Sequence, residues 1–177
     1  MEEKFKEIIK LIESKQNEKA ENILNKLLKE NKEDFYTHQL LGIIYQNTGN
    51  IDKSIEHYNL SLNIRPKNAG VLFNLGIINR GLNNLSKAKE FFLKSLEVDQ
   101  NFIDCYLNMA RIYEIEKNLI EADQYYQKAF SVNKDYPQLN RAYSKFLINV
   151  GEITKGMSIM YKNFGNIRFG KLNLEIK

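Results

Sequence analysis

The sequence contains very few of the residues from which metal sites, disulfides and nucleophilic active sites are built. Its 177 residues include one cysteine and two histidines. Because Cys105 is the lone cysteine, it cannot form an internal disulfide, which favours a reducing compartment. Neither His38 nor His57 has a cysteine near it in the sequence, as the common zinc motifs require. We therefore expect no catalytic residues, no metal site and no cofactor.

Long hydrophobic runs and flexible linkers are also missing. The longest apolar run, residues 40–45, contains Gly42 and is far shorter than the roughly 18 residues of a membrane-spanning helix. The N-terminus begins Met1-Glu2-Glu3-Lys4 and lacks the apolar core of a signal peptide. Two prolines and nine glycines leave little room for linkers. These absences predict a cytoplasmic chain with no membrane partner.

The excess of one charge sign is small. Lysine and arginine number 26 and aspartate and glutamate 22, which gives a formal net charge of +4 at pH 7. No block of like charges stands out along the chain. The charge is therefore a modest argument for an acidic protein or peptide partner, and it gives no reason to expect nucleic acid.

What the sequence does contain is a repeat of 34 residues. A step of 34 leads from Gly42 to Gly76 and then to Ala110. Four other positions keep the same step, namely Asn50, Asn84 and Asn118; Ser54, Ala88 and Ala122; Tyr58, Phe92 and Tyr126; and Ser61, Ser95 and Ala129. Five unrelated positions that share one period indicate a repeat protein.

Each unit is predicted to be two antiparallel helices joined by a short turn. In the central unit, residues 69–80 have apolar side chains at helical spacing, and residues 81–84 form a cluster of helix breakers. A second helix follows through Ala88 and Phe92. A small residue such as Gly76 allows the two helices to approach closely, and a large aromatic residue fills the space beside that contact.

These residues resemble the tetratricopeptide repeat, a family of 34-residue helix pairs. The positions that match its pattern are Leu41-Gly42, Tyr45, Tyr58 and Pro66 in the second unit, Leu75-Gly76, Ala88 and Phe92 in the third, and Tyr113, Ala122, Tyr126 and Ala129 in the fourth. The resemblance implies an all-α fold, a right-handed α-solenoid of about five repeats. The expected repeats are residues 1–34, 35–68, 69–102, 103–136 and 137–170, the first and last degenerate, in a solenoid of residues 1–170 with a tail at 171–177.

Several slots depart from the family pattern. His38 occupies the tryptophan slot, where we interpret it as a residue that packs helices. His57 precedes Tyr58, which is predicted to be in the core, so we expect His57 to face solvent. Gly156 takes an alanine slot in the fifth unit, where it is expected to weaken its helix by about 1 kcal/mol relative to alanine.

The end of the chain has a different period. Residues 167–176 alternate apolar and polar side chains on either side of Gly170, which is typical of strands. Three interpretations remain open for this segment. It is a tail that packs on the last helices, an edge that pairs with a partner, or the start of a further domain.

In the family that the sequence resembles, the first helix of each unit lines a concave groove in which ligands bind. Helical spacing places one set of side chains toward this groove: Phe73, Asn74, Ile77, Leu107, Asn108, Arg111, Arg141 and Lys145. Asn74 and Asn108 lie one period apart, similar to the asparagine ladder with which repeats of O-linked glycosyltransferases hold peptide backbone. An amide side chain both donates and accepts, as a peptide group requires. The alternative is that both amides bond to the next helix.

The basic residues of this set form a second cluster. Arg111, Arg141 and Lys145 could together hold carboxylates, since guanidinium groups pair well with them, or they are solvated helix charges. The dicarboxylate clamp of the family is broken here, because Asp104 and Asn108 occupy its lysine and arginine slots. Binding of chaperone tails is therefore not expected.

Three functions fit these predictions. The first is a non-catalytic adaptor that binds an extended peptide or a partner helix in the groove. The second is the regulatory or targeting arm of a larger enzyme of the glycosyltransferase, sulfotransferase or oxygenase type, as such repeats often precede those domains. The third is a self-assembling scaffold, in which Met157, Ile159 and Met160 contact a second copy.

Overall fold

The computed structural model describes residues 2–32 and 34–164, and this part of the chain forms ten α-helices and no strand. The helices are α1 (Glu2–Glu13), α2 (Asn17–Glu30), α3 (Phe35–Asn47), α4 (Ile51–Ile64), α5 (Ala69–Gly81), α6 (Leu85–Val98), α7 (Ile103–Ile115), α8 (Leu119–Val132), α9 (Pro137–Asn149) and α10 (Ile153–Phe164). The second helix of every pair begins 34 residues after the previous one, at residues 17, 51, 85, 119 and 153. The prediction of an all-α fold built from helix-turn-helix repeats is confirmed.

Two compact units divide the chain within α7, one of residues 1–105 and one of residues 106–177. We call them the N-terminal unit and the C-terminal unit, and describe each by itself. The repeat boundaries expected from the sequence stay a prediction. The strand-like segment at residues 167–176 lies outside the described residues.

In the N-terminal unit, two glycines set the distance between paired helices. A Cβ atom on Gly42 would lie 2.5 Å from the Tyr58 ring, and one on Gly76 would lie 2.5 Å from the Phe92 ring. Tyr58 and Phe92 are fully buried. Any side chain at these positions would push the ring away from its present place, so the steric role predicted for the small residues is confirmed at Gly42 and Gly76.

Serine hydroxyls form hydrogen bonds between the two helices of the same pairs. Ser54 Oγ donates to the Gly42 carbonyl over 2.8 Å, beside the close contact with Tyr58. Ser61 Oγ donates to the Phe35 carbonyl over 2.9 Å, and Ser95 Oγ makes the equivalent 2.8 Å bond one repeat later. Each hydroxyl is buried, and each bond satisfies a group that would otherwise be costly to bury.

In the C-terminal unit, Gly156 permits a close contact between α9 and α10. A Cβ atom there would lie 2.7 Å from the Ser144 carbonyl oxygen and 2.7 Å from Cγ1 of Ile148. The carbonyl belongs to the backbone of α9 and cannot move aside as a side chain can. The prediction that Gly156 only weakens its helix is therefore incomplete, because alanine in this slot would collide with the neighbouring helix.

The turn inside each helix pair has one backbone conformation in all five repeats. Lys15, Gly49, Asn83, Lys117 and Gly151 follow one another at intervals of 34 and have φ angles of +60°, +79°, +59°, +58° and +92°. This left-handed conformation favours glycine, and asparagine tolerates it better than most residues. The two lysines therefore occupy strained positions.

The two histidines pack against each other, and the expectation that His57 faces solvent is wrong. Its Nδ1 atom lies 3.0 Å from Nδ1 of His38, and its ring stacks on Tyr45. Nε2 of His38 lies 3.2 Å from the Lys32 carbonyl and must donate to it, so Nδ1 of neutral His38 accepts from His57. Because His38 is 7% exposed, its predicted role in helix packing is confirmed.

Candidate functional site

Three basic side chains that the sequence analysis selected lie around one cleft in the C-terminal unit. Arg111 comes from α7, and Arg141 and Lys145 come from successive turns of α9. The cleft has a volume of about 450 Å³. All three side chains are exposed, so their charged ends are accessible from solvent. The repeat period predicted this grouping, because equivalent positions of neighbouring first helices share a face.

Among the residues that the structure describes, Glu114 is the only carboxylate that lines this cleft. It accepts a hydrogen bond from the hydroxyl of Tyr126, whose ring is buried between α7 and α9. Burial and the Glu114 carboxylate both raise the pKa of Tyr126, which therefore stays a hydrogen-bond donor. Three cationic side chains surround one carboxylate, and that carboxylate already accepts a hydrogen bond. The cleft therefore favours an anionic ligand.

The rest of the lining comes mainly from the same face of α9. Gln138 and Asn149 lie one turn before Arg141 and one turn after Lys145, and Ala142 and Phe146 lie between them. Neither Gln138 nor Asn149 was among the residues predicted from the sequence. The same helical spacing, extended by one turn in each direction, gives both.

A second cavity of about 330 Å³ opens beside the first. It shares Arg141, Lys145 and Asn149 with the cleft and adds the aliphatic side chains of Ile148 and Met160. Ile148 is 36% exposed, which leaves a large apolar surface next to the basic residues. The two cavities together offer cationic contacts and an apolar contact along one side of α9.

Two other predicted groove residues of this unit are buried. Leu107 is 1% exposed and Asn108 is 4% exposed. Their side chains present little surface to a ligand in this conformation. Arg111, one turn further along α7, is exposed. The role of Leu107 and Asn108 in binding stays a prediction.

The predicted groove residues of the N-terminal unit are half-buried and have partners within it. The Phe73 ring contacts the rings of Phe92 and Phe102, with centroids 5.7 and 4.8 Å apart. Burial raises the pKa of the Tyr58 hydroxyl on the preceding helix, and the nearby Asn74 amide lowers it. Ile77 is half-buried. The role of Asn74 in peptide binding stays a prediction.

The described residues contain no group of three or more histidine, cysteine, aspartate or glutamate side chains that could hold a metal ion. Burial raises the pKa of the Cys105 thiol to about 12, so this cysteine is not a nucleophile near neutral pH. None of the helices in the described part of the chain is long and apolar enough to cross a membrane.

Comparisons with known proteins agree with the fold. Tetratricopeptide repeat profiles match residues 34–101 and residues 91–124, which together make up about half of the chain. The chain belongs to the tetratricopeptide repeat family. No curated protein matches the sequence.

Solved structures of other tetratricopeptide repeat proteins have the same fold at low sequence identity. PilF of Pseudomonas aeruginosa superposes with a TM-score of 0.81 at 18% identity, over 93% of this chain and 77% of that one. A MamA crystal structure gives a TM-score of 0.71 at 17% identity, over 86% of this chain and 90% of that one. A tetratricopeptide repeat protein from Parabacteroides merdae gives 0.72 at 17% identity, over 91% and 64%.

Membership of the tetratricopeptide repeat family sets the general function. Proteins of this family generally mediate protein–protein interactions and are typically non-catalytic scaffolds. Arg141 and Lys145 lie on α9, the first helix of its pair.

Proposed function

We propose that the protein is a non-catalytic adaptor that binds an acidic segment of a partner protein in the cleft between α7 and α9. Arg111, Arg141 and Lys145 would hold carboxylates of this segment. An aliphatic side chain of the same segment would enter the neighbouring cavity beside Ile148 and Met160. The observation that carries the proposal is the presence of three exposed cations around one cleft whose single carboxylate already accepts a hydrogen bond.

For the N-terminal unit by itself, we propose that a peptide contacts the exposed edges of the half-buried residues Phe73, Asn74 and Ile77. The Asn74 amide would bond to the backbone of that peptide. In the C-terminal unit, Asn108 would bond to the backbone of the segment in the basic cleft. These amides contribute less binding energy than the basic residues, because Asn74 is half-buried and Asn108 is only 4% exposed.

The test uses a fluorescein-labelled peptide of alternating aspartate and leucine as the probe, with a lysine–leucine peptide for comparison. Fluorescence anisotropy measures the affinity for the full chain at two salt concentrations. The double variant Arg111→Ala, Lys145→Ala should lose at least about tenfold in affinity, since hydrogen bonds to charged groups contribute about 1.5–3 kcal/mol each. It should also lose most of the salt dependence, because salt screens charges.

The matched control removes the same net charge elsewhere. Lys29→Ala with Lys67→Ala changes two exposed lysines that line neither cavity, and it should leave the affinity almost unchanged. Equal losses in both double variants would mean that the peptide responds only to overall charge. That result would overturn the proposed site, as would binding of the lysine–leucine peptide with the same affinity.

A further inference from the structure

The two helix-pair turns of the C-terminal unit expose a group of large aliphatic side chains. One turn joins α7 to α8, and the other joins α9 to α10. Five aliphatic residues in and beside these turns are 37–72% exposed, namely Ile115, Leu119, Ile120, Val150 and Ile153. Apolar side chains that are exposed as a group, rather than scattered singly, mark a surface that binds protein. We call these five residues the turn surface.

Residues of both turns line one cavity of about 410 Å³. Leu119 and Ile120 come from the first turn and Val150 from the second. The buried residues Tyr143 and Leu147 of α9 also line this cavity and make part of its wall apolar. Ile120 is 72% exposed, so an aliphatic side chain projects beside an open hollow. A surface that has both a projection and a hollow can fit a second copy of itself.

The fold does not require apolar residues at three of these five positions. The turns of all five repeats have the same backbone conformation. Yet several residues that lie whole periods of 34 away from the turn surface are polar. Asp52, Ser86 and Thr154 correspond to Ile120, Asn47 and Asn149 correspond to Ile115, and Thr48 and Glu116 correspond to Val150. The apolar character of this surface therefore serves a contact rather than the turn itself.

Charges of both signs border the turn surface. The turn before α8 contains Glu116 and Lys117, and the turn before α10 is followed by the exposed ion pair of Glu152 with Lys155 across 3.2 Å. A border of one sign would repel a second copy, whereas a border with both signs in each turn can pair with itself about a twofold axis. When the two copies are antiparallel, Lys117 faces Glu152 of the second copy.

The exposed aliphatic area is sufficient for such a contact. With these exposures, the five side chains present on the order of 400 Å² of apolar surface. A specific dimer buries about 800 Å² on each copy, and in homodimers about 65% of this area is apolar. The turn surface thus supplies most of the apolar area required, and the charged border supplies polar area.

We propose that the turn surface is the contact between two copies of this chain, related by a twofold axis. Ile120 of each copy enters the cavity of the other, and Lys117 of each copy pairs with Glu152 of the other. None of the turn-surface residues lines the basic cleft, so this proposal does not depend on the proposed function.

Analytical ultracentrifugation of the full chain, from low to high micromolar concentration, tests the contact. The wild-type chain should form a dimer, and Ile115→Ser with Ile120→Ser should raise its dissociation constant at least about tenfold. The control Leu82→Ser with Leu93→Ser changes two leucines of the N-terminal unit that are 51% and 45% exposed, and it should leave the constant unchanged. A wild-type chain that stays monomeric would overturn the proposal, as would a dimer that both double variants weaken equally or that neither weakens.

A charge exchange tests the twofold arrangement. Lys117→Glu alone and Glu152→Lys alone should each weaken the dimer several-fold, because like charges then face each other between the copies. In the variant that carries both changes, opposite charges face each other again, and the dissociation constant should return close to the wild-type value. Circular dichroism verifies that each variant is folded. A double variant weaker than either single variant would show that Lys117 and Glu152 do not meet, which would overturn this arrangement.

Discussion

At the scale of single residues, the fold depends on aromatic rings that pack on glycines. Phe92 is fully buried, and its ring occupies the space that a side chain at position 76 would need. Glu90, two residues earlier on the same helix, is exposed and forms an ion pair with Lys94 across 2.6 Å. Neighbouring positions of one helix therefore have very different effects on stability.

We expect Phe92→Ala to lower the free energy of unfolding by about 3–5 kcal/mol, as is usual when a buried aromatic side chain is removed. Glu90→Ala should change it little, because the lost ion pair is exposed to solvent. Chemical denaturation followed by circular dichroism measures both. Similar losses in the two variants would contradict the assignment of Phe92 to the core.

The histidine pair makes stability depend on pH. Burial and the nearby His38 lower the pKa of His57 from its ordinary value of 6.5, while Glu56 and Glu21 oppose this and Lys53 adds to it. The unfolded chain then binds a proton near pH 6.5, before the folded chain does. Because the state that binds more protons gains stability as pH falls, the folded state is destabilised from pH 6.5 downward.

The variant His57→Asn tests this, since the asparagine amide can still donate to His38 but does not titrate. We expect the wild-type chain to lose more stability than the variant when the pH is lowered from 7.5 to 5. Denaturation curves at several pH values give the two slopes. Identical slopes would show that His57 does not change its protonation state on unfolding.

At the scale of structural elements, the turn within each repeat imposes the same backbone requirement five times. Glycine meets this requirement at positions 49 and 151, whereas lysine occupies it at positions 15 and 117. A left-handed conformation costs a non-glycine residue roughly 1–2 kcal/mol. The greater freedom of glycine in the unfolded chain offsets part of that difference, about 0.5–1 kcal/mol.

Lys117→Gly should therefore stabilise the protein by about 0.5–1 kcal/mol. The reverse change in an equivalent turn, Gly151→Ala, should destabilise it by about 1 kcal/mol. Thermal and chemical denaturation give both signs. A loss of stability in Lys117→Gly would mean that its side chain makes a contact that outweighs the backbone strain.

The contact at Gly156 leads to a prediction that opposes helix propensity. On propensity alone, Gly156→Ala would stabilise α10 by about 1 kcal/mol. The collision of the new methyl group with the Ser144 carbonyl is expected to outweigh this gain, so that the variant is destabilised by about 1–3 kcal/mol.

Gly81→Ala provides the matched comparison. Gly81 is the last residue of α5, and nothing lies within 4 Å of the position that its Cβ would take. This variant should be neutral or slightly stabilised. If both alanine variants gained stability, the close approach of α9 and α10 at Gly156 would be refuted.

At the scale of the whole molecule, the period of 34 predicted the helix pairs, because Gly42 and Tyr58 in one repeat and Gly76 and Phe92 in the next have the same separation of 16 residues and make the same contact. The grouping of Arg141 with Arg111 followed from the same period. The turn conformation was missed, because lysine at position 117 carries no sign of a left-handed backbone.

Other features could not be predicted, because they depend on side-chain directions rather than on spacing. His57 precedes a core tyrosine on its helix, yet its ring turns back toward His38 and is half-buried. Leu107 and Arg111 are one helical turn apart, and the exact rotation of α7 decides which of them reaches the surface.

The pattern of helix contacts also determines how fast the chain should fold. Within the described parts of each unit, the extensive helix–helix contacts join helices that are adjacent in sequence, such as α3 with α4, α5 with α6, and α9 with α10. Contacts between residues close in sequence require only short loops to close, so little entropy is lost before native contacts form. Helical proteins of this kind fold in microseconds to milliseconds.

We therefore expect the main refolding phase of the full chain to be complete within roughly milliseconds after dilution from denaturant. Stopped-flow circular dichroism at 222 nm measures it directly, and tyrosine fluorescence provides a second probe, since the chain has ten tyrosines and no tryptophan.

Gly42→Ala should slow this phase if the contact of α3 with α4 forms early, whereas Gly81→Ala, which meets no neighbour, should not. If the main phase of the unmodified chain lasted seconds, contacts between segments far apart in the sequence would control folding. That result would contradict this prediction.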